Sequence, residues 1–310
     1  MQQNDFIKAL GFESIIKDKR KMDKVLRLAS FEPDFLYERK IDKKGRTYFD
    51  RYKYLGSGFG VSVQGYRHIK LNKEGQKIEK HVVMGWDVFA QGHRDNDVSH
   101  AFIDTDNEQA AFCFVEDDGS GNAFEFRVNN SLEMIDRYQA MPNYNAVEAF
   151  EANIPKVNAA MLLVFATILL PVVKNETAAS FRAQQDAMQR ELMDRARKGD
   201  IEAEENLYEI AKKREIDLRE RLAHEDLLSV FEGYFLNLIE QSGIFSVLAD
   251  ILEVDQLTNE ASDEKLYRLS VSVTGIKMTM YVNAEDVVGM PMEGMRIMGM
   301  GMLQGTVLVS

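Results

Sequence analysis

A chain of 310 residues, 45% hydrophobic and 28% charged, carries enough apolar material for a real core and reads as a globular protein of one or two domains. Its net charge of −12 argues against a surface built for nucleic acid or anionic lipid, because phosphate binding rests on Lys and Arg. The lone cysteine, Cys113, excludes an intrachain disulfide; in the alternating run AAFCFVED it is expected to be a buried, inert thiol, in keeping with a reducing cytoplasm.

The start, MQQNDFIKALGF, has no basic stretch leading into an apolar one, so no signal peptide is expected. Residues 1–30 are predicted helical, since Phe6, Ile7, Leu10, Ile15, Ile16, Val25, Leu26 and Leu28 recur at helical spacings broken near Gly11. From about 34 to 128 the pattern turns to strands. FGVSVQGYRHIKL (59–71) alternates around Val61, Val63 and Gly65, and KIEKHVVMGWDVF (77–89) follows the turn LNKEGQ. QAAFCFVED (109–117) and AFEFRVNN (123–130) flank DDGSGN, and their paired phenylalanines at period two predict an antiparallel hairpin. SLEMIDRYQAM (131–141) is predicted as a helix with Ser131 as its N-cap. The apolar run AAMLLVFATILLPVV (159–173) falls short of the roughly 20 residues a bilayer span needs, and Pro171 interrupts it. It is expected as a buried strand or strand pair.

Residues 175–223 change character, being rich in Ala, Glu, Arg and Lys, with Gly199 and Asp200 as helix stop and next N-cap. Two exposed helices are predicted. Their charges read either as a solvated face of i,i+4 pairs or as a partner-binding arm. The chain then returns to strands. Tyr267, Leu269, Val271 and Val273 alternate with polar residues, as do Ile276, Met278, Met280 and Val282. With FSVLADILEV before, and MRIMGMGM and QGTVLVS after, five strands are predicted, and Gly289, Gly294, Gly299, Gly301 and Gly305 suit barrel corners. The expected fold is α+β: an antiparallel-sheet N-terminal domain (1–174), a charged helical connector (175–242) and a small OB-like β-barrel (243–310). No internal repeat is evident.

Two stretches invite a chemical reading. LGSGFG (55–60) and GHRDNDVSH (92–100) together resemble kinase vocabulary. The glycines, however, are spaced G-x-G-x-G, only 37 positions part Gly56 from His93, and neither V-A-I-K nor D-F-G is present. The glycine run reads instead as a strand-entry turn. The second stretch offers His93, Asp95, Asp97 and His100, imidazoles and carboxylates that would suit zinc, manganese or iron if the loop folded back on itself. The spacing H-x-D-x-D-x-x-H matches no established ligand pattern, and the same residue types make an ordinary polar surface loop. His68, His81 and His224 stand alone and read as structural; Trp86 reads as core.

OB-like barrels often bind oligonucleotides, but residues 243–310 hold nine acidic residues against four basic ones. The methionines from Met278 to Met302 are either adaptable core filler or an exposed face for a protein partner.

FIKALGF, ARKGDIEAEENL, HEDLLSVFEGYF, VLADILEV, MYVNAEDVVGMPMEGMR and MLQGTV resemble segments of a clostridial Firmicute family described only as a domain of unknown function. The resemblance spans nearly the whole chain, is strongest from about 196 to 310, and implies an intracellular bacterial protein with no activity attached. The reading that follows is a non-catalytic binding or assembly protein without a cofactor, meeting a protein partner or itself through the helical arm or the Met-rich barrel, with neither nucleic acid nor membrane. The alternative is a metal-dependent hydrolase using His93, Asp95, Asp97 and His100.

Overall fold

The computed structural model describes residues 6–39, 42–71, 74, 76–107, 110–118, 120–171, 188, 191–193, 195–196, 198–222, 233–239 and 242–309. The amphipathic start becomes a single 3-10 turn, Lys8–Leu10, ended by Gly11 at φ 71, followed by α1 (Glu13–Lys17) and α2 (Lys19–Phe31). The Asp18 carboxylate caps α2 by accepting from the backbone N–H groups of Arg20 and Lys21. Ile15, Val25 and Ala29 turn inward, onto a four-stranded antiparallel sheet of β1 (Phe35–Glu38), β2 (Arg46–Gly56), β3 (Phe59–Leu71) and β4 (Lys77–Ala90), in chain order. Phe49, Val61, Val63 and Val88 share one core with Leu10 and Ile15. LGSGFG is the β2–β3 turn, where Gly58 takes φ 84.

A larger sheet follows from β5 (Asn96–Asn107), β6 (Ala110–Asp117), β7 (Ala123–Val128), β8 (Lys156–Leu169), β9 (Tyr234–Ile239), β10 (Ile244–Thr258), β11 (Lys265–Val273), β12 (Ile276–Asn283), the two-residue β13 (Val287–Val288) and β14 (Arg296–Leu308). Between β7 and β8 run α3 (Ser131–Ala140) and α4 (Tyr144–Glu151). The predicted β6–β7 hairpin forms, with Cys113 buried inside, and the predicted strands β11 and β12 pair antiparallel with each other.

The long strand β8 is apolar on both faces, with Val157, Ala159, Met161 and Leu163 in one core and Ala160 and Leu162 in another. A strand of that kind needs cover on both sides and partners on both edges. It finds them in β14, antiparallel along thirteen residue pairs, and in β12, parallel. The pairings therefore return on themselves: β10–β11–β12–β8–β14 and back to β10. A second circuit, β5–β6–β7–β14–β8 and back to β5, closes through two short pairings, β7 with β14 and β8 with β5. The circuits share β8 and β14 and have the same pattern. Each has three successive antiparallel strands, the third paired parallel with one of the two shared strands, β12 with β8 and β7 with β14. The pairing thus repeats where the sequence shows no repeat.

Several expectations are corrected by this pairing. The segment 243–310 is not set apart from the N-terminal part, because β8 pairs with both β12 and β14; Met1–Leu169 and Phe235–Ser310 make one unit, and Leu170–Tyr234, close to the expected connector, a second. MRIMGMGM and QGTVLVS are not two strands but one, β14. Its glycines are not corners; they let β14 lie close against the β8 backbone, where a Cβ on Gly299 or Gly305 would come within 2.7 or 2.8 Å of a β8 carbonyl oxygen. Ser131 is the first helical residue and not the cap; its hydroxyl donates to the Val128 carbonyl and accepts from the Ala111 N–H.

In the second unit α5 (Ile201–Leu222) follows Gly199, at φ 84, and Asp200, whose carboxylate accepts from the Ala203 N–H. The stop and cap are as the residues predict. Most of the helix expected before Gly199, half of the turn LNKEGQ, and His224 lie outside the described residues. No described helix is long and apolar enough to cross a membrane.

Candidate functional site

GHRDNDVSH is a short connection (92–95) and the first residues of β5 (96–100), and its backbone explains it better than its side chains do. The Gly92 N–H donates to Asn158 Oδ1 at 2.6 Å, and Asn158 Nδ2 donates back to the Gly92 carbonyl and to Asp95 Oδ1. The His93 N–H donates to Thr279 Oγ1 at 2.7 Å, and Asn96 Nδ2 donates to the Lys277 carbonyl. The stretch is stitched to β8 and β12. The four side chains do not gather: Asp95 faces Asn158, Asp97 pairs with Lys156 at 3.4 Å, and His100 Nδ1 lies 3.9 Å from Glu116. All four are described, and among the described residues no three His, Cys, Asp or Glu side chains are placed to hold a metal ion. His81, expected to stand alone, instead takes Arg51 at its Nδ1, 3.1 Å away.

The methionines divide by position. Met278, Met280 and Met302 are buried filler within the strands, whereas Met290 is 71% and Met292 48% exposed in the segment after β13. Register ties β13, just before this segment, to a sheet face. Val288 lies beside Thr167 and Thr167 beside Met298, while Phe165 lies beside Met300. Neighbours across a ladder point to the same side, so Val288, Phe165, Met298 and Met300 share a face. Phe165 and Val288 on it are exposed.

A second feature lies between the first sheet and α3. A cavity of about 440 Å³ is lined by Tyr48 and Asp50 of β2, Gln64 of β3, Met84 of β4, and Leu132 and Ile135 of α3, among others. Asp50 is 2% exposed. The Leu132 N–H, in the first turn of α3, donates to it, so a strand residue supplies the cap that the Asn130 side chain does not. The Tyr52 hydroxyl reaches Asp50 Oδ2 only at 3.5 Å, since it donates chiefly to the Asn129 carbonyl at 2.9 Å. The other carboxylates nearby hold cations: Asp42 takes Arg46 at 2.8 Å, and Asp136 pairs with Arg39. Burial pushes the Asp50 carboxyl up to about 7, and the Asp136 charge adds to this, while the Leu132 and Tyr52 hydrogen bonds oppose it.

The raised titration point has a consequence whose sign can be measured. Asp50 binds its proton more tightly in the native chain than at its ordinary 3.8. Its contribution to stability is therefore fully present below that value and is lost as pH rises through about 7. Asp50→Asn keeps the shape without the charge. Denaturant titrations should show the variant gaining on the wild type between roughly pH 4 and pH 7, with a slope approaching about 1.4 kcal/mol per pH unit. Parallel pH profiles would contradict the burial of an ionising carboxyl.

Sequence reasoning passed over Asp50. In YFDRYKY it alternates with Tyr48 and Tyr52, which marks one strand face, but nothing in the spacing says that a helix 80 residues onward covers it.

A family model described as "Domain of unknown function, E. rectale Gene description (DUF3881)" matches residues 7–305. No curated protein and no solved structure matches.

Proposed function

Since the chain belongs to the DUF3881 family, a domain of unknown function whose model covers residues 7–305, we propose from its own surface that it is a non-catalytic, intracellular binding or assembly protein whose partner is another protein. The observation that carries this reading is the exposed apolar face of Phe165 and Val288, with Met290 and Met292 exposed in the segment that follows Val288. Large apolar side chains in a contiguous group favour a protein contact, and unbranched methionines adapt to a partner's shape. The acidic balance of the chain supports a protein over a nucleic acid. The lone buried Cys113 supports a reducing compartment.

We also read the circuit β10–β11–β12–β8–β14 as an OB-like barrel, with β8 in the place of the last strand. The support is its pairing order: an antiparallel meander whose third strand lies parallel to β8.

The test is light scattering and affinity capture on the wild type and on a Val288→Glu, Met292→Glu double variant. Buried apolar anchors of this size predict a loss of association of at least about tenfold at unchanged melting temperature. A strictly monomeric wild type that captures no partner overturns the proposal.

A further inference from the structure

The cavity beside Asp50 is independent of that protein-binding face, and it has a chemistry of its own. Every polar group at its wall can be asked what it bonds to. The Asp42 carboxylate has Arg46, and the Arg39 guanidinium, also at the wall, pairs with Asp136 and donates to the Gln139 amide oxygen. Asp50 has no Lys, Arg or His within ion-pair reach among the described residues, although it is buried to within 2% of its surface. The Tyr48 hydroxyl and the Gln64 amide line the same cavity and make no hydrogen bond to any described residue. Asp50 pairs with Gln64 across the β2–β3 ladder and alternates with Tyr48 on β2, so these three oxygen-bearing side chains share one sheet face at the cavity, and one of them is a buried acid without a counter-ion.

Apolar side chains line the cavity as well. Leu132 and Ile135 sit one helical turn apart on α3. Met84 owes its place to a β-bulge: Gln64 pairs with Gly85 and Gly65 with Val83, leaving Met84 as the extra residue of β4. Bulges commonly re-aim a side chain next to a site, and this one leaves Met84 57% exposed at the cavity. About 440 Å³ falls within the range of small-molecule pockets.

We propose that this cavity binds a small organic amine, its ammonium group held by Asp50, Tyr48 and Gln64 and its apolar body lying against Met84, Leu132 and Ile135. An ammonium carries three N–H donors and no acceptor, which suits three oxygens. It also supplies the counter-ion that Asp50 lacks. The groups facing Asp50 are Tyr52 on its own strand, Gln64 on β3, and Asp136 with the Leu132 N–H on α3. The bound cation fixes Asp50 as the carboxylate, and the proton that Asp50 gives up passes to the buffer.

The test uses hexylamine, with hexanol of the same chain length as its uncharged control, on the full chain carrying ¹³C-labelled methionine methyls. Hexylammonium should shift the Met84 methyl saturably while hexanol at equal concentration does not. Its affinity should rise roughly tenfold from pH 6 to pH 8, following the ionised fraction of a carboxyl titrating near 7. In Asp50→Asn the affinity at the higher pH should fall at least about tenfold, and the pH dependence should vanish. No saturable Met84 shift, equal binding of hexanol, or unchanged affinity in Asp50→Asn overturns the proposal. If that variant does not fold, the wild-type profile decides alone, and a flat one overturns it.

Discussion

Gly301→Val should prevent the chain from folding. A Cβ at this position would lie 2.3 Å from the Leu162 carbonyl oxygen, 2.8 Å from its carbon and 3.0 Å from the Leu163 Cα. All three are backbone atoms of β8, so no side chain can swing aside to make room. Relief would require moving β14 away from β8 at the bulge between Met300 and Gly301, and that pairing belongs to both strand circuits. The expected cost exceeds about 4 kcal/mol, a large part of the roughly 5–15 kcal/mol by which domains are commonly stable. Soluble yield and near-UV circular dichroism would show it as loss of protein or loss of fixed tertiary packing. Gly85→Ala is the control, because a Cβ there meets nothing within 4 Å; it should stay within about 0.5 kcal/mol of the wild type. A Gly301→Val variant as stable as that control would show that β14 and β8 do not lie this close.

Tyr281→Ala should cost about 3–5 kcal/mol, and Tyr281→Phe about 1 kcal/mol. Tyr281 of β12 is fully buried and stands edge-on to Phe59 of the first sheet, with ring centres 6.0 Å apart. Its hydroxyl donates to the Gln91 carbonyl at 3.0 Å. Burial pushes that hydroxyl up to about 12, so it remains a donor at neutral pH. The side chain thus joins the two sheets, through ring packing mainly and through one hydrogen bond in addition. Chemical denaturation of the two variants separates those contributions. If alanine and phenylalanine cost the same, the ring contributes nothing and the account of the joint fails.

The residues disclosed faces more readily than partners. Alternation was enough to predict the β6–β7 hairpin and the strands β11 and β12, because a period of two marks the buried side and turn residues supply a pairing. The run at 159–173 was legible as a buried strand or strand pair, of which β8 ends at Leu169. Nothing local could say that its neighbours would be β12 and β14, more than 100 residues away, because apolar composition gives burial on both faces without naming the strands at either edge. The glycines of β14 carried an ambiguity of the same kind. A glycine that admits a close neighbour and a glycine that turns a corner look alike in sequence, and Gly299, Gly301 and Gly305 are of the first kind. Of the candidate sites, the polar character of GHRDNDVSH was plain, while its stitching to Asn158 and Thr279 depends on elements from the far end of the chain. Asp50 became conspicuous only once α3 covered it.

The repeated pairing pattern has a consequence for how the chain is put together. The segment β5–β6–β7 followed by β8 and the segment β10–β11–β12 followed by β14 each lend their last strand to the other. That is the connectivity of a strand-swapped dimer whose two copies occupy one polypeptide. Neither half can complete its own ring from its own residues, so on the ribosome β8 must wait for a strand that is synthesised last. Closure at long sequence separation makes for slow folding, and until β14 arrives the most apolar strand of the protein has an open edge that a second nascent chain could fill.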